Sequence, residues 1–203
     1  SASISKNKYS IVHYDSPDER GIDVALLYNP LTYKLISSEP LEVVLPGNDR
    51  TRDILYVKGE LKTGEILHVF VNHWPSRSGG EERSIPARAA AAKVARLKMD
   101  SILAVDMNAK IILMGDLNDD PISPSMTKTL KASGELSKIK TGDIYNPWVD
   151  FYKNGLGTIA YQDSWGLFDQ IVFSSAWLNK EQKGLFYNKA VIFNQEFMVQ
   201  KTG

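Results

Sequence analysis

Two polar residues, Asp116 and Asn118, come directly after an apolar run and Gly115 in the segment KIILMGDLND (110–119). Residues two positions apart point to the same side of an extended chain. A carboxylate can accept a proton or bind a hard cation, and a carboxamide can donate to an oxyanion or offer its carbonyl oxygen. The pair therefore predicts a site for a cation and an oxyanion. The equally weighted alternative is an ordinary Asp/Asn turn after a buried strand.

A second candidate group, His73, ends the apolar segment ILHVFVNHW (66–74) and precedes a loop with Arg77. An imidazole at a strand end can relay protons or stabilise a charged transition state near neutral pH. A lone histidine is more often a hydrogen-bonded structural group, and Arg77 is either a phosphate ligand or a solvated loop charge. His68 falls on the other side of a regular strand, so we predict no joint site for the two histidines.

Asp169 lies inside the apolar segment LFDQIVFS (167–174), which predicts a buried carboxylate. Such a group needs a partner, because burying an unpaired ion costs several kcal/mol. The partner is either a catalytic histidine that the carboxylate orients or a neighbouring loop. Two further cations, Arg20 and Arg88, could bind phosphate, although a structural salt bridge is the commoner role for each.

The composition indicates one globular domain over residues 1–203, with 43% hydrophobic residues and 24 basic and 24 acidic side chains. The net charge of zero argues against binding to nucleic acid through a broad basic surface. There is no cysteine, which excludes disulfides and thiolate nucleophiles. No segment predicts a membrane span. The usual phosphate loop, the H-E-x-x-H zinc motif and the G-x-S-x-G elbow are also missing, and localisation stays open.

Strands are predicted to outnumber helices. A helix is expected over 81–104, beginning near Pro86 because proline suits a first helical turn and the alanines of 87–95 favour helix. A shorter helix is expected over 123–132. The predicted strands are 22–28, 33–37, 41–45, 54–61, 66–74, 110–115, 158–162, 167–174 and 190–194.

Three motifs in order, VNHWPSR (71–77), ILMGDLND (112–119) and WGLFDQIVFSS (165–175), have the long helix between the first two. With RGIDVALLY (20–28), they resemble bacterial members of the endonuclease/exonuclease/phosphatase superfamily, from about Tyr9 onward. The resemblance implies an α+β, DNase I-like fold, a four-layer sandwich of two packed mixed β-sheets flanked by helices. It also implies hydrolysis of a phosphoester that depends on Mg²⁺ or Mn²⁺.

Residue by residue, the resemblance implies a role for four side chains. His73 corresponds to the histidine that stabilises the phosphoryl group. Asp116 corresponds to the aspartate that positions or deprotonates the attacking water and contacts metal. Asn118 corresponds to the asparagine that binds phosphate oxygens and lies at the metal, and Asp169 to the aspartate that holds a final catalytic histidine. The resemblance transfers no secure role to Arg20, Arg77 or Arg88, which stay candidates for substrate binding.

The sequence also departs from the family pattern. The family normally opens with an asparagine and a metal-binding glutamate and closes with a Ser-Asp-His type motif, and these have no counterpart in the 203 residues. We therefore expect little or no phosphodiesterase activity from this chain, with a fold incomplete at both ends. The alternative is a module that keeps the scaffold and works by binding without catalysis.

The expected partners are a phosphoester substrate and a second copy of the chain. The substrate is either nucleic acid or a small phosphorylated molecule, and the neutral net charge favours a small phosphoester or a short nucleic acid over processive binding to DNA. Missing outer strands would leave sheet edges exposed, and an exposed edge favours association. We therefore predict a dimer through such an edge.

Overall fold

The computed structural model describes residues 8–47, 49–161, 163–181 and 184–198. Seven strands form the main sheet: β3 (Tyr33–Leu41), β4 (Ile54–Leu61), β5 (Ile66–His73), β6 (Lys110–Asp116), β7 (Ala132–Ser133), β8 (Ile144–Tyr145) and β11 (Asp169–Ser174). Four more strands form two small antiparallel sheets: β1 (Ser10–His13) with β2 (Ala25–Tyr28), and β9 (Ile159–Tyr161) with β10 (Ser164–Gly166). The helices are α1 (Glu81–Val105) and α2 (Val149–Lys153). The predicted α+β class is therefore confirmed.

The main sheet is mixed, in the order β3-β4-β5-β6-β11-β8-β7. β5 and β6 are parallel and joined through α1, whereas β11 lies antiparallel on the other side of β6. Because parallel neighbours need a long crossover, the 25-residue helix between β5 and β6 supplies it. This connection brings the ends of β5 and β6 to the same end of the sheet.

One face of the main sheet packs against α1. Strand alternation points Phe70, Ile111 and Leu113 to this face, where they meet Ala92 and Met99 of the helix with no exposed surface. The small alanine side chains let the helix backbone approach the sheet closely. This cluster is the largest of the three described hydrophobic clusters, and it fixes α1 across β5 and β6.

The opposite face is covered by the small β1–β2 sheet and by aromatic side chains. Val12 of β1 packs with Val57 and Val69 of the main sheet. Further along the same face, Tyr145, Phe173 and Trp177 form a separate cluster. In the described part of the chain, the predicted second sheet is thus represented by two antiparallel strands.

Several element boundaries differ from those predicted. The strand predicted over 41–45 is absent, because β3 continues to Leu41 by pairing with β4, and Val43 and Leu45 are buried under α1 without sheet pairing. The strand predicted over 190–194 is an irregular segment with exposed Val191 and Phe193.

The helices also differ at their ends. The helix predicted over 123–132 is a single π-helical turn, Ser125–Thr129. α1 begins at Glu81 instead of near Pro86, since Glu81 and Glu82 suit the positive end of the helix dipole. The remaining short helical turns are Leu136–Lys138, Ser175–Leu178 and Glu196–Met198. Within the described residues, no helix has the length and apolar character needed to cross a membrane.

Candidate active site

Three candidate residues meet at one end of the main sheet. His73 ends β5 and is paired in register with Asp116 at the end of β6, and Asp116 is paired with Asp169 at the start of β11. His73 Nε2 lies 3.8 Å from Asp116 Oδ2. The strand register therefore places in one row three groups that the sequence separates by 43 and 53 residues.

Gly115 allows β5 and β6 to approach each other at this point. Its φ is 135°, and a Cβ atom there would lie 1.9 Å from the carbonyl oxygen of Asn72. Any larger residue would push the two strands apart. The glycine before Asp116 thus sets the spacing between the Asp116 and His73 side chains.

Asn118 adopts a left-handed backbone conformation with φ 49°. Its backbone N–H donates to Asp116 Oδ1 at 2.9 Å, and its Nδ2 donates to the carbonyl oxygen of Trp74 at 2.9 Å. The turn after β6 is therefore bonded both to Asp116 and to the loop after β5. Asn118 Oδ1 and its second side-chain N–H take no other hydrogen bond among the described residues, and neither does Asp116 Oδ2.

Burial lowers the pKa of His73, the nearby Arg52 lowers it further, and Asp116 opposes both effects. The imidazole is therefore neutral at neutral pH and carries one N–H donor and one acceptor nitrogen. The predicted separation of the histidines is confirmed, since His68 points to the other face and its Nδ1 lies 2.7 Å from the hydroxyl of Tyr56.

Arg52 is a residue that the sequence analysis missed. It is buried, its Nε donates to the His73 carbonyl oxygen and one amino group donates to the Trp74 carbonyl oxygen, both at 2.9 Å. The other amino group lies 2.8 Å from Asp18 Oδ2. Arg52 therefore fixes the backbone that carries His73. Its acceptors are distant in sequence, so no local signal marks it.

Arg77 holds the turn after β6 instead of lying free for phosphate. Its Nε donates to the Asn118 carbonyl oxygen at 3.0 Å, and one amino group lies 2.9 Å from Asp120 Oδ2. The other lies 3.1 Å from Glu81 Oε2, and the guanidinium carbon sits 4.4 Å from the centre of the Phe168 ring. These contacts support a positioning role, in place of the predicted contact with substrate.

Arg88 cannot contact a substrate in this structure, because its side chain is fully buried. Its Nε lies 2.7 Å from Asp119 Oδ1, although the N–H is not aligned for a hydrogen bond, and an amino group donates to Ser84 Oγ at 2.8 Å. Asp119 also accepts a hydrogen bond from Ser125 Oγ at 2.5 Å. The predicted substrate contact of Arg88 is wrong, and the residue joins α1 to the segment after β6.

Two other candidates lie close to solvent. Asp169 is exposed, so the predicted buried carboxylate is wrong, because it lies on the same side of β11 as the exposed Ile171 while the alternating Gln170 is buried. Arg20 is 60% exposed and pairs with Asp18 at 3.4 Å. It borders an open cavity of about 550 Å³ that is also lined by Ser76 and Arg83, and its contact with substrate stays a prediction.

The model of the endonuclease/exonuclease/phosphatase family matches residues 1–203. The chain belongs to this family. A search of curated protein sequences gives no match.

Solved structures of the family's fold are similar to the chain at low sequence identity. The human Nocturnin catalytic domain with bound sulfate has 16% identity and a TM-score of 0.58, over 83% of this chain and 61% of that one. ANGEL2, a 2′,3′-cyclic phosphatase, has 12% identity and a TM-score of 0.57, over 83% and 62%. A mannosyl-6-phosphatase from Bacteroides thetaiotaomicron has 18% identity and a TM-score of 0.55, over 83% and 63%. The chain thus has the DNase I-like fold and spans less than two thirds of these structures.

The family implies a divalent cation, and the donor atoms at this end of the sheet suit one. Asp116 Oδ2, Asn118 Oδ1 and the exposed carboxylate of Asp169 are oxygen donors, which Mg²⁺ and Mn²⁺ prefer. Among the described residues they do not belong to a set of three His, Asp or Glu ligands within 4.8 Å of one another. Asp116 and Asn118 stay the two predicted metal ligands.

Proposed function

We propose that the chain carries the phosphate-facing part of a divalent-metal-dependent phosphoester hydrolase, with its site at His73, Asp116 and Asn118. The observation that carries the proposal is the shared end of β5 and β6. There His73 Nε2 and Asp116 Oδ2 lie 3.8 Å apart, and the Asn118 carboxamide is fixed beside them by its bond to Trp74. Family membership supports this reaction class.

Each side chain has a task that matches its contacts. The neutral His73 imidazole can donate a hydrogen bond to a phosphoryl oxygen, or accept a proton there. Asp116 Oδ1 is occupied by the Asn118 N–H, so Oδ2 is the atom left to orient or deprotonate the attacking water. The second side-chain N–H of Asn118 can donate to another phosphoryl oxygen.

Asp116 and Asn118 would hold the cation through their oxygens. Mg²⁺ or Mn²⁺ bound there would neutralise charge on the phosphoryl group and favour ionisation of the attacking water. Asp169, beside Asp116 on β11, is a further carboxylate for the water or for a histidine partner. We propose an activity of the nuclease or phosphatase type, and the net charge of zero favours a small phosphoester as substrate.

The first test is a binding experiment on this chain. Mn²⁺ added to ¹⁵N-labelled protein broadens the resonances of nearby nuclei, so we expect selective loss of the Asp116 and Asn118 signals. Asp116→Asn should abolish this loss, whereas Asp106→Asn, an exposed carboxylate at the end of α1, should not. If Mn²⁺ broadens the same resonances in Asp116→Asn as in the unchanged protein, the proposed site is contradicted.

The second test measures hydrolysis of bis(p-nitrophenyl) phosphate with Mg²⁺ or Mn²⁺. For the 203 residues we expect little or no turnover, because only two side chains, Asp116 and Asn118, are predicted to bind the metal ion. In a longer product engineered to add the missing family ligands, we expect turnover that falls by about 100-fold or more in Asp116→Asn, the scale of losing an electrostatic catalytic group. Cleavage by this chain that Asp116→Ala abolishes would refute the low-activity prediction. Metal and phosphate binding without turnover in the longer product would favour the binding module.

A further inference from the structure

A second group of metal-ligand side chains lies away from the candidate active site, on the β1–β2 sheet. His13, Asp15 and Asp23 each place one ligand atom within 4.8 Å of those of the other two. His13 Nε2 lies 3.2 Å from Asp23 Oδ2. His13 ends β1, and Asp15 and Asp23 lie in the connection between β1 and β2.

The end of the β1–β2 pairing lies next to this group. The pairing ends at His13 and Ala25, and Asp15 and Asp23 each lie two positions beyond that last pair. His13 points away from the core, since the alternating Val12 packs against the main sheet.

The Asp15 and Asp23 carboxylates each have an oxygen within 4.8 Å of the other, and two carboxylates that share a site repel unless a cation lies between them. Two hydrogen bonds also fix the Asp23 carboxylate: its Oδ1 accepts from the backbone N–H of Ser16 at 2.9 Å and from the Ser16 hydroxyl at 2.7 Å. These bonds leave Asp23 Oδ2 facing His13. No described hydrogen bond or ion pair involves the Asp15 carboxylate. Asp23 is thus fixed beside a second carboxylate and an imidazole.

We propose that His13, Asp15 and Asp23 form a binding site for a transition-metal cation of the Zn²⁺ type, separate from the phosphoester site. Zn²⁺ binds imidazole nitrogen and carboxylate oxygen, and three such ligands leave a fourth position for water. Mg²⁺ is disfavoured, because it prefers oxygen ligands alone. Ligand atoms around a tetrahedral Zn²⁺ lie about 3.4 Å apart, so each of these atoms needs to move by roughly an ångström or less.

Such a cation would join the two ends of the loop between Asp15 and Asp23, and this loop supports the backbone of the candidate active site. The loop between Asp15 and Asp23 contains Asp18, which pairs with Arg52 at 2.8 Å, and Arg52 in turn bonds to the carbonyl oxygen of His73. A metal ion across the base of the loop therefore fixes Asp18 and, through it, the end of β5. The role is structural and does not depend on the proposed hydrolysis.

The test uses the three histidines of the chain as reporters. Long-range ¹H–¹⁵N spectra of the imidazoles, recorded on the full chain with one equivalent of ZnCl₂, should show a large shift of His13 Nε2 and none of His68. Competition with a chromophoric chelator gives the Zn²⁺ affinity. We expect Asp15→Asn and Asp23→Asn each to lower it by more than tenfold, and Ser16→Ala by about tenfold, as for a group that orients a ligand.

Matched variants separate this site from other effects. Asp49→Asn and Asp106→Asn, which change exposed carboxylates outside both proposed sites, should leave the Zn²⁺ affinity unchanged. If Asp23→Asn unfolds the loop because Ser16 loses its acceptor, Asp15→Asn decides the question, since no described group bonds to that carboxylate. Unchanged affinity in Asp15→Asn, or a Zn²⁺ shift confined to His73, would overturn the proposal.

Discussion

At the residue scale, each member of the Gly115–Asn118 segment meets a distinct backbone requirement. Gly115 lets the Asn72 carbonyl approach where a Cβ atom would collide. Asn118 accepts a left-handed conformation that most residues resist, and it bonds to Asp116 and Trp74 from there. The segment therefore combines the chemistry of its side chains with a turn that only a few residue types can form.

Gly115→Ala should destabilise the protein strongly. The added methyl group would lie 1.9 Å from the Asn72 carbonyl oxygen, and the φ of 135° is unfavourable for alanine, so β5 and β6 must separate. We expect a loss of about 3 kcal/mol or more in the free energy of unfolding, measured by urea denaturation. Gly64→Ala, with positive φ but open space around it, is the control for the backbone effect alone. Equal losses in the two variants would show that the close approach is unimportant.

Asn118→Gly and Asn118→Ala should separate the two contributions of this residue. Both lose the side-chain bond to Trp74, at about 1 kcal/mol, but only alanine adds strain at φ 49°, at roughly a further 1 kcal/mol. The measurement is again the free energy of unfolding in urea. A glycine variant as unstable as the alanine variant would indicate that the backbone conformation contributes nothing.

At the element scale, α1 and the segment after β6 are joined by buried charges. Arg88 on the helix contacts Asp119, Ser125 bonds to the same carboxylate, and Arg77 reaches Asp120 from the loop before the helix. A buried ion pair adds little stability compared with apolar packing, yet removing one partner leaves an uncompensated charge. These pairs fix where the helix lies relative to the Asn118 turn.

Arg88→Met should therefore destabilise the protein by about 3 to 5 kcal/mol, because Asp119 would stay buried without its cation. Arg83→Met changes the same residue type on the same helix at an exposed position and should have an effect below about 1 kcal/mol. Chemical denaturation of the two variants gives the comparison. An Arg88→Met variant as stable as Arg83→Met would remove the structural role assigned to this pair.

At the scale of the whole molecule, a buried histidine couples stability to pH. Burial, with a smaller effect of Lys58, lowers the pKa of His68 to about 4, against 6.5 in an unfolded chain. The unfolded state then binds more protons than the folded state between these values, so stability rises with pH across this window.

We expect His68 to lower the free energy of unfolding by about 2 kcal/mol as the pH falls from 7.5 to 5, because the imidazole is protonated in the unfolded state and stays neutral in the folded state. His68→Gln removes this titration while all other groups remain. The difference between the two proteins, measured by urea denaturation at both pH values, should shrink or reverse toward pH 5. A difference that is independent of pH would show that His68 titrates normally in the fold.

The outer edge of the main sheet is the other feature of this scale. β3 is an edge strand, and its Leu35 and Ile36 are exposed, with Ile36 at an irregularity in the pairing with β4. We predict association of two copies through this edge, since unpaired strand edges favour it. Light scattering coupled to size exclusion should give a mass above that of the monomer, and Ile36→Lys should lower it. A monomeric mass at every concentration would contradict this prediction.

The sequence by itself determined the family, the α+β class and the residues able to take part in binding or catalysis, because motif order and apolar periodicity are local properties of the chain. It located Asp116, Asn118 and His73 at strand ends, since an apolar run followed by polar residues marks such an end. The strand predicted over 54–61 has the same limits in the structure.

Only the tertiary structure decided which arginine side chains support the candidate active site and which stabilise the packing of the fold. The acidic partners of Arg52, Arg77 and Arg88 lie between 4 and 43 residues away in the sequence, so burial and pairing in the fold separate the roles of the three arginines. Strand register, likewise, placed His13 opposite Ala25 and His73 beside Asp116. Pairing between distant segments is a property of the folded chain as a whole, and no local pattern specifies it.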